Sequence, residues 1–371
     1  MISTVKLEAF HHAQWNEVTG YYGGTFNMTP NASARLEVTF PNKGGVNLNA
    51  LHMGQFIRLS LGLDGLLLYP RFLGFMANRQ LTMNPESYNV SFECFDLLGE
   101  AQREMVKFTE LGPNLDGMDA GAAVKWLLTT LYDKGYGSVP SEVVPPNVDA
   151  VCGLPTPRII VPEDGFYTPE YGSKLQLLQT LNDMSVVDQY PNPPKPFILF
   201  VDGEGRFHHQ PVTDIAAGVP RLTIAYSGNL NKFKQASRSA KLITECIVTG
   251  IKDPNDTDGN KFIGSFLDSS WMYMEGLWTQ KFNKTWCKSI DDCRDYAMRK
   301  VALYRELYEP ISVETRRGHY VMVGDLVGLT NTQSGKDENM RVMEVDVTFQ
   351  PTDFSCKLTL GAMNYLPTDY I

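Results

Sequence analysis

The chain has 371 residues, a formal net charge of −9, 43% apolar residues and 20% charged residues. That length exceeds one ordinary core and implies two or three domains, and the composition is that of a globular chain, neither disordered nor fibrous. The acidic balance argues against a dedicated nucleic-acid binder, and six scattered cysteines without a C-x-x-C pair argue against a zinc knuckle.

The opening MISTVKLEAFHHAQW lacks a cationic start ahead of an apolar run, so no secretory signal is expected. No stretch approaches the ~18 uninterrupted apolar residues of a membrane span. Folding in a reducing cytoplasm, with buried thiols, is expected. The first 110 residues read as β. Ala34, Leu36, Val38 and Phe40 alternate with Arg35, Glu37 and Thr39, the period-2 signature of a half-buried strand. GQFIRLSLG and YPRFLGFMANRQLTM follow, then an Asn84-Pro85-Glu86-Ser87 turn and the returning YNVSFECFDLL. Short strands at this spacing predict a small barrel or sandwich.

Residues 111–216 change character. DAGAAVKWLLTTLYDKG places Ala120, Val124, Leu127, Leu128 and Leu131 on one helical face and stops at Gly135. After a proline-rich loop, Ser173 is placed to cap a helix whose Leu175, Leu178 and Leu181 face a core. FILFVDGEGRFHHQP then predicts a hairpin turning at Asp202-Gly203-Glu204-Gly205. From residue 217 β character resumes in RLTIAYS and AKLITECIVTGI, and a helical insertion is predicted at about 284–309. There Ser289 and Asp292 form an S-x-x-D cap ahead of the stripe Ile290, Cys293, Ala297, Val301, Tyr304 and Tyr308, with Pro310 as the stop. Strands return in YVMVGDLVGLT and NMRVMEVDVTFQPTDFSCKLTLG.

The two β regions echo each other. Gly54 answers Gly324 and Pro85 answers Pro351, with Leu81/Val347, Thr82/Thr348, Met83/Phe349, Tyr88/Phe354, Val90/Cys356 and Phe92/Leu358 in step around the proline. A glycine start, a loop and a proline turn in the same order predict a duplicated module.

The chemical candidates are weak. His208 and His209 are neighbours on a predicted strand, so their rings point to opposite faces, and Asp202 or Glu204 supplies at most one more ligand. His11-His12 meets the same objection. Asp253–Asn260 departs from a calcium loop at its sixth and twelfth positions, Asp258 and Gly264, and reads as a solvated hairpin tip. No nucleophile elbow, Walker loop or dinucleotide fingerprint occurs, so no catalytic, cofactor or metal residue is assigned and no enzyme activity is expected. Trp271, Tyr273, Trp278, Phe282 and Trp286, beside Lys281, Lys284 and Lys288, make an aromatic-basic cluster suited to self-packing, protein contact or stacking on a sugar or base.

In the order of its parts the chain resembles the baseplate hub or tail-tip proteins of tailed bacteriophages, whose hub fold also forms the base of type VI secretion spikes. The likeness is carried by LQLLQTLNDMS…FILFVDGEGRFHHQP, by DDCRDYAMRKVALYRELYEPISVETRRGHYVMVGDLVGL and by NMRVMEVDVTFQPTDFSCKLTLG. It implies a mainly β fold with an α+β insertion: two related small β-barrel domains (1–110 and 217–371) flanking an α/β domain (111–216), with the helical insertion inside the second barrel. It further implies a homotrimeric, pseudo-sixfold structural adapter between the tail tube and a central spike or tail fibre, with the tape-measure protein as another partner. DNA would pass only transiently, through a channel lined by acids. There would be no stable membrane insertion; the location would be the virion tail tip, assembled in the host cytoplasm. A receptor- or glycan-binding distal tail protein, and a cell-wall hydrolase, are the competing readings, although no lysozyme-like domain is recognisable.

Overall fold

Alternating apolar and polar residues from both ends of the chain build a single sheet, 13-stranded among the described residues. The computed structural model describes residues 2–11, 14–41, 51–65, 67–84, 87–107, 123, 124, 127, 171–184, 197–211, 215, 218–225, 232–235, 242–284, 287–308, 310–331 and 336–361. The first module contains β1 (Ser3–His11), β2 (Gln14–Glu17), β3 (Gly23–Met28), β4 (Arg35–Pro41), β5 (Phe56–Leu63), β6 (Tyr69–Asn84) and β7 (Ser87–Asp96). Ala34, Leu36, Val38 and Phe40 are all buried, as their spacing predicts.

The central segment follows as α1 (Leu98–Arg103), β8 (Met105–Lys107), β9 (Tyr171–Ser173), α2 (Lys174–Met184), β10 (Phe197–Val201) and β11 (Phe207–Pro211). Ser173 Oγ accepts from the Gln176 N–H at 3.2 Å, and Gln176 Oε1 accepts from the Ser173 N–H at 3.0 Å. This reciprocal cap satisfies two donors at the start of α2. Leu175, Leu178 and Leu181 join Val124 and Leu127 in a core that also takes Phe56, Leu73 and Phe75 from the first module. Ala120, Leu128, Leu131, Gly135 and the proline-rich loop lie outside the described residues.

Buried His209 of β11 sits against Phe197, with ring centroids 4.8 Å apart. Burial pushes its imidazole down to about 4. The folded ring stays neutral where the unfolded ring takes up a proton, so stability present above pH ~6.5 is lost as pH falls towards ~4, by roughly 2–3 kcal/mol. His209→Phe should remove that part of the acid sensitivity. Urea midpoints of the two proteins at pH 7.0 and 4.5 would diverge at the lower pH, and parallel losses would refute the assignment.

Next come β12 (Leu222–Ala225) and β13 (Lys232–Gln235), then an excursion made of β14 (Glu245–Lys252), β15 (Lys261–Leu267), α3 (Ser269–Glu275), β16 (Thr279–Asn283) and α4 (Ile290–Tyr308). The expected helical insertion is thus part of a larger unit: a separate three-stranded sheet, β15-β14-β16, packs against α4 over its own core. Ser289 Oγ accepts from the Asp292 N–H at 3.0 Å, as the S-x-x-D pattern predicts. Cys293, Ala297 and Val301 are buried, whereas Ile290, at the first turn, is exposed.

The second module closes the chain with β17 (Ile311–Thr315), a 3-10 turn (Arg316–Tyr320), β18 (Leu326–Asn331), β19 (Lys336–Gln350) and β20 (Asp353–Gly361). Its strand path β13-β17-β20-β19-β18-β12 repeats the first module's β3-β4-β7-β6-β5-β1, in the same chain order. The registers repeat as well. Leu81 faces Val90 and Met83 faces Tyr88, as Val347 faces Cys356 and Phe349 faces Phe354, all at the same spacing of 266 residues (81 to 347, 90 to 356). Each long strand carries a bulge at the equivalent place, between Met76 and Asn78 and between Val342 and Glu344.

The turns agree in detail. Gly54 and Gly324 take φ of 80° and 84°, a left-handed conformation that favours glycine. The Gly54 N–H donates to Met76 O and the Gly324 N–H to Val342 O, both at 2.8 Å. Gln55 Oε1 accepts from the His52 N–H at 3.0 Å, and Asp325 Oδ2 from the Met322 N–H at 2.8 Å. One departure is the outer strand: β1 runs antiparallel to β5, while β12 runs parallel to β18. On closure, the strand path among the described residues runs from β13 to β2 without returning on itself, so closure of the expected barrels is not detected there. The two modules are joined by β3 pairing with β19, from Met28 opposite Val345 to Gly24 opposite Phe349.

Candidate assembly surfaces

The hairpin between β10 and β11 is built by its aspartate. Asp202 Oδ1 accepts from the Glu204 and Arg206 N–H groups, each at 2.9 Å, and Oδ2 lies 2.9 Å from His208 Nε2. Burial opposes the Asp202 charge, yet these bonds outweigh it and hold the carboxyl below the ordinary carboxylate range. His208 stacks flat on Phe200 at 4.6 Å, on the opposite face from His209. The two rings therefore do not converge, as their adjacency predicts. Glu204 pairs with Arg206. Gly203 presses against the first module so closely that a Cβ there would meet Pro70 O at 2.1 Å, so the tip is a docking point inside the chain.

The other candidates are accounted for similarly. His11 lies on β1 with its ring 6.2 Å from that of His52, and His12 is outside the described residues. At the Asp253–Asn260 tip, Asp253 and Asp256 accept from the N–H groups two residues on, and Asn260 Nδ2 donates to Asp256 at 2.9 Å. The Asn260 side chain, first among these donors, lowers the Asp256 carboxyl. These are self-capped turns. Among the described residues, no three His, Cys, Asp or Glu side chains come together as a metal-ligand set, and no helix is long and apolar enough to cross a membrane. A groove of about 540 Å³ beside Gly203 is lined by Glu8, Arg58, Glu204 and Arg206. Its charges pair with one another, Arg58 with Glu8 at 2.6 Å and Arg206 with Glu204.

The aromatic cluster divides into two roles. Trp271 is buried at the start of α3, where Asp268 accepts from its N–H at 2.9 Å and Arg305 crosses its ring at 5.4 Å. Phe282 packs edge-on against Tyr296, and Lys284 lies over that same ring. Tyr273 and Trp278, by contrast, are 91% and 47% exposed, alongside exposed Met274, Leu277 and Leu267. This leaves an apolar face on the excursion, of the kind proteins use for contacts. Trp286 lies outside the described residues.

Sequence reasoning missed which strand edges stay unpaired among the described residues, two of them in equivalent places. The far half of β19 is covered by β3, but the equivalent half of β6, Arg79–Met83, pairs only with β7 among the described residues. Leu81 is consequently 43% exposed where its counterpart Val347 is 1% exposed. In the same way β3 has two neighbours, β4 and β19, while among the described residues its counterpart β13 pairs only with β17. Periodicity locates strands but carries no information on which edges stay unpaired.

No family model matches the sequence, and no curated protein does. Solved structures match the fold along nearly its whole length. A tail protein from Neisseria meningitidis MC58 aligns with a TM-score of 0.66 at 11% identity, covering 97% of each chain. The 43 kDa tail protein of prophage MuSo2 from Shewanella oneidensis gives 0.64 at 10% identity, covering 96% of this chain and 98% of its own. An E. coli type VI secretion component, described as similar to the T4 tail proteins gp27 and gp5, gives 0.52 at 8% identity, over 97% of this chain and 77% of its own. The mainly β fold with its α+β insertion is therefore one shared with phage tail proteins and a type VI secretion component.

Proposed function

We propose that this chain is a structural hub of a bacteriophage-type tail: a homotrimer that joins a sixfold tail tube to a central spike or fibre, without chemistry of its own. The observation that carries the reading is the repeat of strand order, register, bulge and glycine turn between the two modules. Three chains with two like modules each present six similar units around an axis, so a threefold object can meet a sixfold one. The fold shared with tail proteins supports the same setting. Under this reading the partners are the tube protein, the spike or fibre and the tape-measure protein, and DNA is a passing occupant of the channel. The protein resides at the virion tail tip after assembly in the host cytoplasm.

The test is the mass of the purified chain by sedimentation equilibrium, joined to an averaged axial view in the electron microscope. Three copies arranged as six lobes are expected; a monomer at every concentration would overturn the hub. A zymogram on cell-wall material should show no clearing.

Exposed Tyr273 and Trp278 favour a second reading, a distal tail protein that grips a receptor glycan. Binding on a glycan array that Trp278→Ala abolishes would support it over the hub.

A further inference from the structure

The chain contains one complete junction between unlike modules and the two unmade halves of another. Inside the chain, β3 of the first module lies antiparallel on the far half of β19 of the second. The counterpart of β19 is β6, and its far half is a free edge among the described residues; the counterpart of β3 is β13, also an edge. Resting on the three-copy reading above, we infer that β13 of each chain adds to β6 of the next, reproducing between copies the junction already made within each.

The registers fix how the strands meet. Phe26 opposes Leu36 in β4, while Gln235 opposes Ile311 in β17, and Leu36 and Ile311 oppose the equivalent residues Cys94 and Leu360. Phe26 thus corresponds to Gln235, Thr25 to Lys234 and Gly24 to Phe233. Within the chain Phe26 opposes Val347, Thr25 opposes Thr348 and Gly24 opposes Phe349. Transferred to the second junction, Leu81 lies opposite Gln235 of the next copy, Thr82 opposite Lys234 and Met83 opposite Phe233.

Three features favour a second copy of this chain as the occupant. The pairing closes at once two edges whose outward N–H and C=O groups have no strand partner among the described residues. It brings Leu81 towards the burial that Val347 already has. It is also a head-to-tail contact, which can close a ring, so that neither β6 nor β13 is then left to add a further copy.

Thr82 and Lys234 are both exposed, and among the described residues β6 and β13 are not neighbours in the sheet, so a bond seen as a covalent oligomer joins these positions across different chains. Directly opposed Cβ atoms in antiparallel strands sit ~4.5–5.5 Å apart, near enough for a disulfide after small adjustment. Oxidised Thr82→Cys/Lys234→Cys is expected to run as covalent species ending at three chains, while either single variant stays at one. Thr25→Cys/Thr348→Cys is the internal control and should close within one chain. Leu81→Asp should raise the dissociation constant of the assembly at least 100-fold while the chain stays folded.

Trimers by sedimentation that form no Thr82–Lys234 cross-link, or that survive Leu81→Asp, would overturn the strand pairing and leave the hub standing. Dimers cross-linked by Thr82→Cys alone would show β6 pairing with itself, and would also overturn it. A chain that sediments as one copy throughout would remove both readings.

Discussion

Val347→Asp is expected to abolish the cooperative fold, whereas Leu81→Asp, at the equivalent position of the other module, should leave a soluble chain with a native far-ultraviolet spectrum. Val347 opposes Phe26 on one side and Cys356 on the other, and is sealed inside the main core. An aspartate there puts a carboxylate into the sealed core, on top of the lost apolar contacts. The cost exceeds about 4 kcal/mol, a large share of a typical domain's margin. Leu81 occupies the same place in strand, register and bulge, yet it is 43% exposed and faces no third strand among the described residues. Urea unfolding followed by circular dichroism measures both. Equal midpoints for the two variants would show that the modules do not differ as the structure has it.

The second large effect concerns Arg71, the bulkiest of the fully buried side chains. From β6 its Nη1 donates to Val321 O at 2.7 Å, just before the Met322–Asp325 turn of the other module, and its guanidinium lies over Phe26 at 5.6 Å. Nε and Nη2 have no hydrogen-bond partner among the described residues, and burial pulls the group down to about 10. It stays charged at neutral pH, in an apolar place. Arg71→Ala should cost about 3–5 kcal/mol, because it empties that volume and strips the Val321 carbonyl of its donor. Arg71→Met, which keeps the bulk and discards the buried charge, should fall within about 1 kcal/mol of wild type on either side. If methionine proved as damaging as alanine, the hydrogen bond and not the packing would be what joins the modules here.

Much of this was legible in the amino-acid order, for identifiable reasons. The alternation from Ala34 to Phe40 fixes a half-buried strand because one face must avoid water. Ser173 and Ser289 announce helix starts because a hydroxyl there meets a free N–H. The pairs Gly54/Gly324 and Leu81/Val347 reveal the duplication because turn and register place hard demands on backbone and burial. Three features were hidden. The junction of β3 with β19 joins residues more than 300 positions apart, and nothing local to either strand selects its partner. The strand expected in AKLITECIVTGI forms as β14, but in a sheet of its own, since a period-2 pattern does not say which sheet it serves. The parallel pairing of β12 with β18 is likewise a matter of chain routing, which leaves no mark on side-chain alternation. For the candidate sites, adjacency alone was enough to separate His208 from His209. The division of the aromatic cluster between buried Trp271 and exposed Trp278 required the fold.

The junction of β3 with β19 has a mechanical corollary. Backbone hydrogen bonds within one polypeptide weld a first module to a second, so the two move together. If three such chains close a ring, its six contacts are of two kinds: three covalently tethered, three held only by association. Strain applied along the axis would then concentrate at alternate contacts. The ring would open as a three-leaved iris rather than dilate evenly, and its leaves would be whole chains.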